Sequence, residues 1–275
     1  MSALRPAARL GTVVVACTAL IVPVAALAAA AGPVATLATE HKGILPPKNP
    51  SKSLGPSPKF YLSSKCREGK DTSACNTLVL RAITRARKVL EKMGGMSFSL
   101  TAYEKLTPDE QLFATANLER IARGRAPATV LTRSLDKVAQ AGAEKDEDPP
   151  LNEVRKLPGG GYAAKLGANW AGGWDNALGA DYGWMYDDGP GSDNGDCTKT
   201  NKVGCWGHRD DILSIYSTRS LCGGASSELA MGAGHVTKGK AYGDSETELF
   251  VGVCGPAPTD VVIGWTKVKK LLHIK

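Results

Sequence analysis

The chain has 275 residues, 43% of them hydrophobic and 22% charged, with a formal net charge of +7. This is ordinary globular composition. It excludes a chain that is disordered throughout and is enough for one large domain with extensions.

Arg5 and Arg9 precede an uncharged apolar run from Leu10 to Ala31, and small residues follow. A basic segment, an apolar core and small residues make the layout of a secretory signal, with exits at Ala28-Ala29-Ala30 or Thr36-Leu37-Ala38. A retained transmembrane anchor is the alternative, since the run is nearly long enough to span a bilayer. Pro23 and the missing charge cluster beyond the run favour cleavage, so no stable membrane span is expected afterwards. Val14-Val15-Ala16-Cys17 resembles a lipoprotein box but sits too early in the apolar run. Cleavage near Ala30 takes the net charge from +7 to +5 and removes Cys17. Cys66, Cys75, Cys197, Cys205, Cys222 and Cys254 remain. An even number of cysteines behind an export signal reads as disulfides, and proximity suggests Cys66–Cys75, Cys197–Cys205 and Cys222–Cys254. A zinc site at Cys197 and Cys205 is disfavoured by their wide spacing and the lack of a CxxC pair.

From Gly32 to about Pro58 the chain is rich in Pro, Lys, Ser and Gly and reads as an extended tether. A first helix is expected from about Ala74 to Met93. Leu78, Val79, Ala82, Ile83, Ala86 and Leu90 recur at helical spacing, and Gly94-Gly95 stops it. Its basic face is read as solvated. Thr107-Pro108-Asp109-Glu110 carries a cap, a proline suited to the first turn and the acid of a capping box. The second helix should run from there to Gly124. A third follows from about Thr132 to Lys145, with Leu131, Leu135, Val138, Ala139 and Gly142 as its buried stripe, and ends at Asp148-Pro149-Pro150. Gly159-Gly160-Gly161 is a loop, since the preceding LNEVRKLP makes a poor strand for a dinucleotide fingerprint. Leu229–Val236 and Glu248–Val253 have strand character.

The stretch Trp184–Leu213 concentrates Cys, Trp, Asp and one of four histidines in a Gly-rich loop. Asp187, Asp188, Asp193 and Asp196 could hold calcium, but they do not match an EF-hand, and turn chemistry accounts for the same residues. No nucleophile elbow, HExxH helix or nucleic-acid motif is present. Of Trp170, Trp174, Trp184 and Trp206, most should pack, with one lining a groove.

ANLERIARGRAP, LTRSLDKVAQAGA, LGANWAGG, WMYDD and CWGHRDDIL occur in that order. The set resembles the CAP superfamily of cysteine-rich secretory, antigen 5 and pathogenesis-related proteins, and within it the exported actinobacterial branch. The resemblance covers about residues 106 to 255. It implies an α+β fold, a three-layer α-β-α sandwich here carrying an N-terminal helical extension and stabilised by disulfides. It also implies a groove whose two His and two acids can bind a divalent metal. Position by position, His208 matches the histidine of the GHR segment, and Asp187 or Asp188 falls near one acid. The second acid falls at Ala168, beside Asn169, and no His follows the third helix. With two of four ligands absent, no intrinsic metal and no cofactor is expected.

The resulting division is residues 1–30 as signal, 31–64 as linker, 65–105 as helical extension, 106–256 as the CAP-like domain and 257–275 as a C-terminal tail. His208, Asp187, Asp188, Asn169, Trp206 and Arg209 are the expected groove residues. The expected function is non-enzymatic binding, by a secreted monomer, of an extracellular or envelope ligand rather than nucleic acid. The alternative is an envelope hydrolase in which Asp187 orients His208 as acid or base.

Overall fold

β4 (Ser245–Cys254) is buried along its whole length, because it pairs on both edges and is covered on both faces. This is a computed structural model, and it describes residues 48–54, 60, 63–66, 72–154, 156–174, 176–192, 194, 204–239 and 241–274. The expected signal segment, most of the expected tether and Cys197 lie outside them.

β4 pairs antiparallel with β2 (Tyr162–Gly172) on one side and with β3 (Ser227–Val236) on the other. Beyond β3 lie the short parallel β1 (Val130–Thr132) and the antiparallel edge strand β5 (Val261–Gly264), giving the order β2-β4-β3-β1-β5. Alternation along β4 splits the core in two. Leu249, Val251 and Val253 face α4 (Arg133–Ala143), sharing a core with Leu135 and Ala139. Phe250 faces the larger core under α1 (Ser73–Ala86), α3 (Pro108–Ala122) and α5 (Ala177–Tyr186), and Glu246 and Glu248 point the same way. α4 lies directly on β3. A Cβ on Gly232 would meet the backbone of Leu135, and one on Gly234 the backbone of Ala139 and Gln140. Asp136 and Gln140 accept the backbone N–H of Ala233 and His235, groups that β1 is too short to pair.

α3 begins as expected. Thr107 accepts from the Glu110 N–H, the Glu110 carboxylate accepts from the Thr107 N–H, and Pro108 opens the first turn. The first predicted helix forms over nearly its expected length but changes type near its end. α1 ends at Ala86 and continues as one π-helical stretch, Arg87–Glu91, which closes at Lys92 in the left-handed region (φ 59°). Wider turns of this kind re-aim side chains, and here Arg87 and Glu91 enter a buried ion network. Sequence periodicity did not reveal β2, the long edge strand made of LGANWAGG and the residues before it, nor α2 (Leu100–Tyr103). β5 and α7 (Trp265–Leu271) lie in the stretch set apart as a tail. They complete the sheet and bury Trp265 and Val268.

Part of the expected tether is docked. Ser53 and Leu54 donate their N–H groups to the carbonyls of Pro190 (3.0 Å) and Tyr186 (3.1 Å). Phe60 packs edge-on to Tyr182, their centroids 5.4 Å apart. The described residues all fall in one unit spanning residues 41–275, and none of their helices is long and apolar enough to cross a membrane. Cys66–Cys75 and Cys222–Cys254 are disulfides, as expected from proximity. Cys205 is also disulfide-bonded, but the expected Cys197–Cys205 pairing lies outside the described residues.

Candidate functional site around His208

α5 is buried on every side, so its C-terminal end is held rigidly and delivers Asp187 and Asp188 to the start of α6 (Gly207–Leu213). Asp187 is the C-cap of α5, and it is Asp188 that meets the imidazole. Asp188 Oδ1 lies 2.8 Å from His208 Nδ1, while Oδ2 accepts the His208 backbone N–H at 3.2 Å. The same carboxylate accepts from the Asn194 side-chain amide. It therefore caps the first turn of α6 as well as orienting the ring. An acid at a helix N-terminus is favoured by the unpaired N–H groups there.

One turn on, Asp211 shares a helix face with His208. Burial lifts its carboxyl to about 6, against the opposing pull of the His208 imidazole and a hydrogen bond from the Ala168 backbone. The Tyr216 hydroxyl donates to the Asp211 carbonyl at 2.9 Å. Gly167 on β2 makes room for both, since a Cβ there would run into the Tyr216 hydroxyl and the Asp211 carboxylate. Position 168, where the family resemblance calls for an acid, is thus approached by a carboxylate from α6.

Asn169 is completely buried. Its amide donates to the His208 carbonyl at 3.1 Å and to Glu248 Oε1 at 2.7 Å. Burial raises the Glu248 carboxyl to about 8, outweighing that hydrogen bond, and Asp211 adds to the rise. Glu248 is a site residue that sequence reading missed, although the alternation of β4 sets this Glu on the same face as Phe250.

Trp206 and Arg209 do not line an open groove. Trp206 is buried, donating from Nε1 to the Pro50 carbonyl (2.7 Å), and the Arg209 guanidinium lies 5.5 Å from its ring. Arg209 is fully buried. It donates to the Met185 carbonyl (2.7 Å), to Asn49 Oδ1 (3.2 Å) and to Glu91. Glu91 also pairs with Arg123, which pairs with Glu119, which pairs with Arg87 at 2.7 Å. Tyr186 donates to Glu119 Oε1 at 2.7 Å. Burial works against the Glu119 charge, but Arg123 and Arg87 prevail and bring its carboxyl to about 2. Nearby Asp181 is the opposite case. Both of its oxygens are buried without a hydrogen-bond partner, and burial, then Glu119, hold its carboxyl well above the ordinary range.

Among the described residues no three His, Cys, Asp or Glu side chains converge as a metal would need. Ala168 has no donor atom, and the segment after α4 has no His. The residues present therefore do not fit the family's divalent metal. Of the expected aromatic residues, Trp184 is buried, and Trp170 and Trp174 are half-buried.

No family model matches the chain, and no curated protein matches it in sequence. Among solved structures it is similar to venom allergen-like protein 4 of Schistosoma mansoni. The identity is 14% over 57% of this chain and 93% of the other, with a TM-score of 0.32.

Proposed function

We propose that the chain is an exported CAP-like domain, a three-layer α-β-α sandwich that binds an extracellular or envelope ligand without turning it over. The ordered motifs support the family, the two cores on opposite faces of β4 support the layering, and the disulfides suit an oxidising compartment. The observation that carries the binding reading is the mutual commitment of the polar groups around His208. Asp188 is spent on the ring and backbone of His208, Asn169 on Glu248 and the His208 carbonyl, and Arg209 on Glu91. Such groups hold a shape. Nucleophilic catalysis requires in addition an activated nucleophile, such as a Ser, Thr or Cys beside a base.

One observation favours the hydrolase alternative, with Asp188 in the role first given to Asp187. Asp211 and Glu248, both raised by burial, each feel the His208 charge, and such carboxyls are suited to proton transfer. The two readings separate by experiment. Envelope lipid, glycan and peptide fractions are incubated with the wild type and with His208→Ala, and bound and released molecules are identified by mass spectrometry. Retention of one class by the wild type, with no product from either protein, is the expected result. Product release that His208→Ala abolishes in a still-folded protein overturns the binding-only reading.

A further inference from the structure

The buried arginines fall into two groups. Arg87, Arg123 and Arg209 each pair with a glutamate. Arg120 and Arg125, near the C-terminal end of α3, form no ion pair with a carboxylate among the described residues. Arg120 is 2% exposed and satisfies itself on backbone, donating from Nε to the Ala126 carbonyl (2.8 Å) and from Nη1 to the carbonyls of Ile212 and Ser214. Arg125 is 7% exposed, yet its Nε and Nη2 are buried with no hydrogen-bond partner among the described residues. Those two nitrogens form one edge of the guanidinium fork, whose parallel N–H groups match a pair of oxygens on a carboxylate or phosphate. Leaving a buried charged donor unbonded is costly, and an orphan of this kind implies an ion or water.

We propose that Arg125, with Arg120 behind it, is a binding site for a phosphate-class oxyanion. Arg125 is paired with no carboxylate among the described residues, and Arg120 adds a second positive charge that Glu248 offsets only in part, which favours a dianion over a monocarboxylate. Burial and then the nearby Arg125 bring Arg120 down to about 10, against the pull of Tyr216 and Glu248. The segment that carries the site is fixed. Gly124 turns the chain at φ 68°, and the Arg125 N–H returns to the Arg120 carbonyl at 2.8 Å. The nearby end of α3 favours cations in general but gives the Nε and Nη2 edge no acceptor. Arg120 reaches the far end of α6 through the Ile212 carbonyl, but the Arg125 edge does not depend on the function proposed for the His208 cluster.

The test follows the arginine Nε–H resonances of the purified, 15N-labelled chain as sodium phosphate, sodium acetate or sodium chloride is added at matched ionic strength. The Arg125 signal is identified by its loss in Arg125→Lys. If that variant does not fold, it is identified by through-bond assignment in the wild type. The expected result is a saturable shift of this signal with phosphate, at least tenfold tighter than with acetate and absent with chloride. No saturable shift, or the same shift with chloride, overturns the site. Equal affinity for acetate overturns its assignment to a phosphate-class anion.

Discussion

Asp188 holds His208 at two points, the ring Nδ1 at 2.8 Å and the backbone N–H at 3.2 Å. The carboxylate is 3% exposed, so its loss leaves the His208 N–H in the first turn of α6 without its acceptor. Asp188→Ala should cost about 2 kcal/mol in urea denaturation, the scale of a lost buried charge-assisted hydrogen bond. Asp187→Ala, at the C-cap of α5, should cost less than half as much. Equal costs would contradict the assignment of Asp188 as the partner.

Glu248 and Glu119 predict opposite pH limbs. Glu248 rises from 4.5 to about 8 in the fold, so across that range the unfolded chain is ionised where the native chain is protonated. Its contribution therefore weakens with rising pH until about 8. Glu119 falls from 4.5 to about 2, so its contribution is present above 4.5 and is lost as pH falls toward 2. Glu248→Gln keeps an acceptor for Asn169 and removes the first limb. Melting temperatures should show the variant gaining on the wild type between about pH 5 and pH 8. A constant difference over that range would show that Glu248 does not titrate as described.

Removing Glu119 takes from the buried Arg87 guanidinium its glutamate and leaves Arg123 with Glu91 alone. Glu119→Ala should lose about 3–5 kcal/mol, as when one partner of a buried pair is deleted. A loss below about 1 kcal/mol in chemical denaturation would mean that water enters and screens the network.

Residues 49–54 should behave as part of the fold. The N–H groups of Ser53 and Leu54 bond to Pro190 and Tyr186, and Trp206 donates to Pro50. Hydrogen exchange should find both amides protected, and Trp206→Phe, which lacks the donor, should speed their exchange several-fold. Exchange at the unprotected rate in the wild type would contradict the docking.

Gly167 is the space that Asp211 and Tyr216 occupy on β2. Gly167→Ala should destabilise by about 1–3 kcal/mol through overpacking. It should also shift the His208 ring resonances in NMR spectra; unchanged resonances would place Asp211 away from the imidazole.

Local chemistry was legible in the chain. The Thr107–Glu110 capping box, the apolar stripe of α4, the strand character of β3 and β4 and the Cys66–Cys75 disulfide needed only neighbouring residues, because caps, periodicity and short loops are local physics. His208 and Asp188 stood out for the same reason, lying in one crowded loop. What only the tertiary structure decided depends on partners far along the chain. Asp188 rather than Asp187 faces the ring because α5, buried on every side, fixes where its end points. Arg209, expected at a groove, turns inward because the π-helical stretch after α1 carries Glu91 to it. Residues 48–54 have too few apolar side chains to fold alone, yet dock where Trp206, Tyr186 and Pro190 offer hydrogen bonds. Glu248 looks like an ordinary strand residue until pairing on both sides of β4 and the helices above remove it from water. Burial of that kind is a property of the assembled layers, and no segment of the sequence carries it by itself.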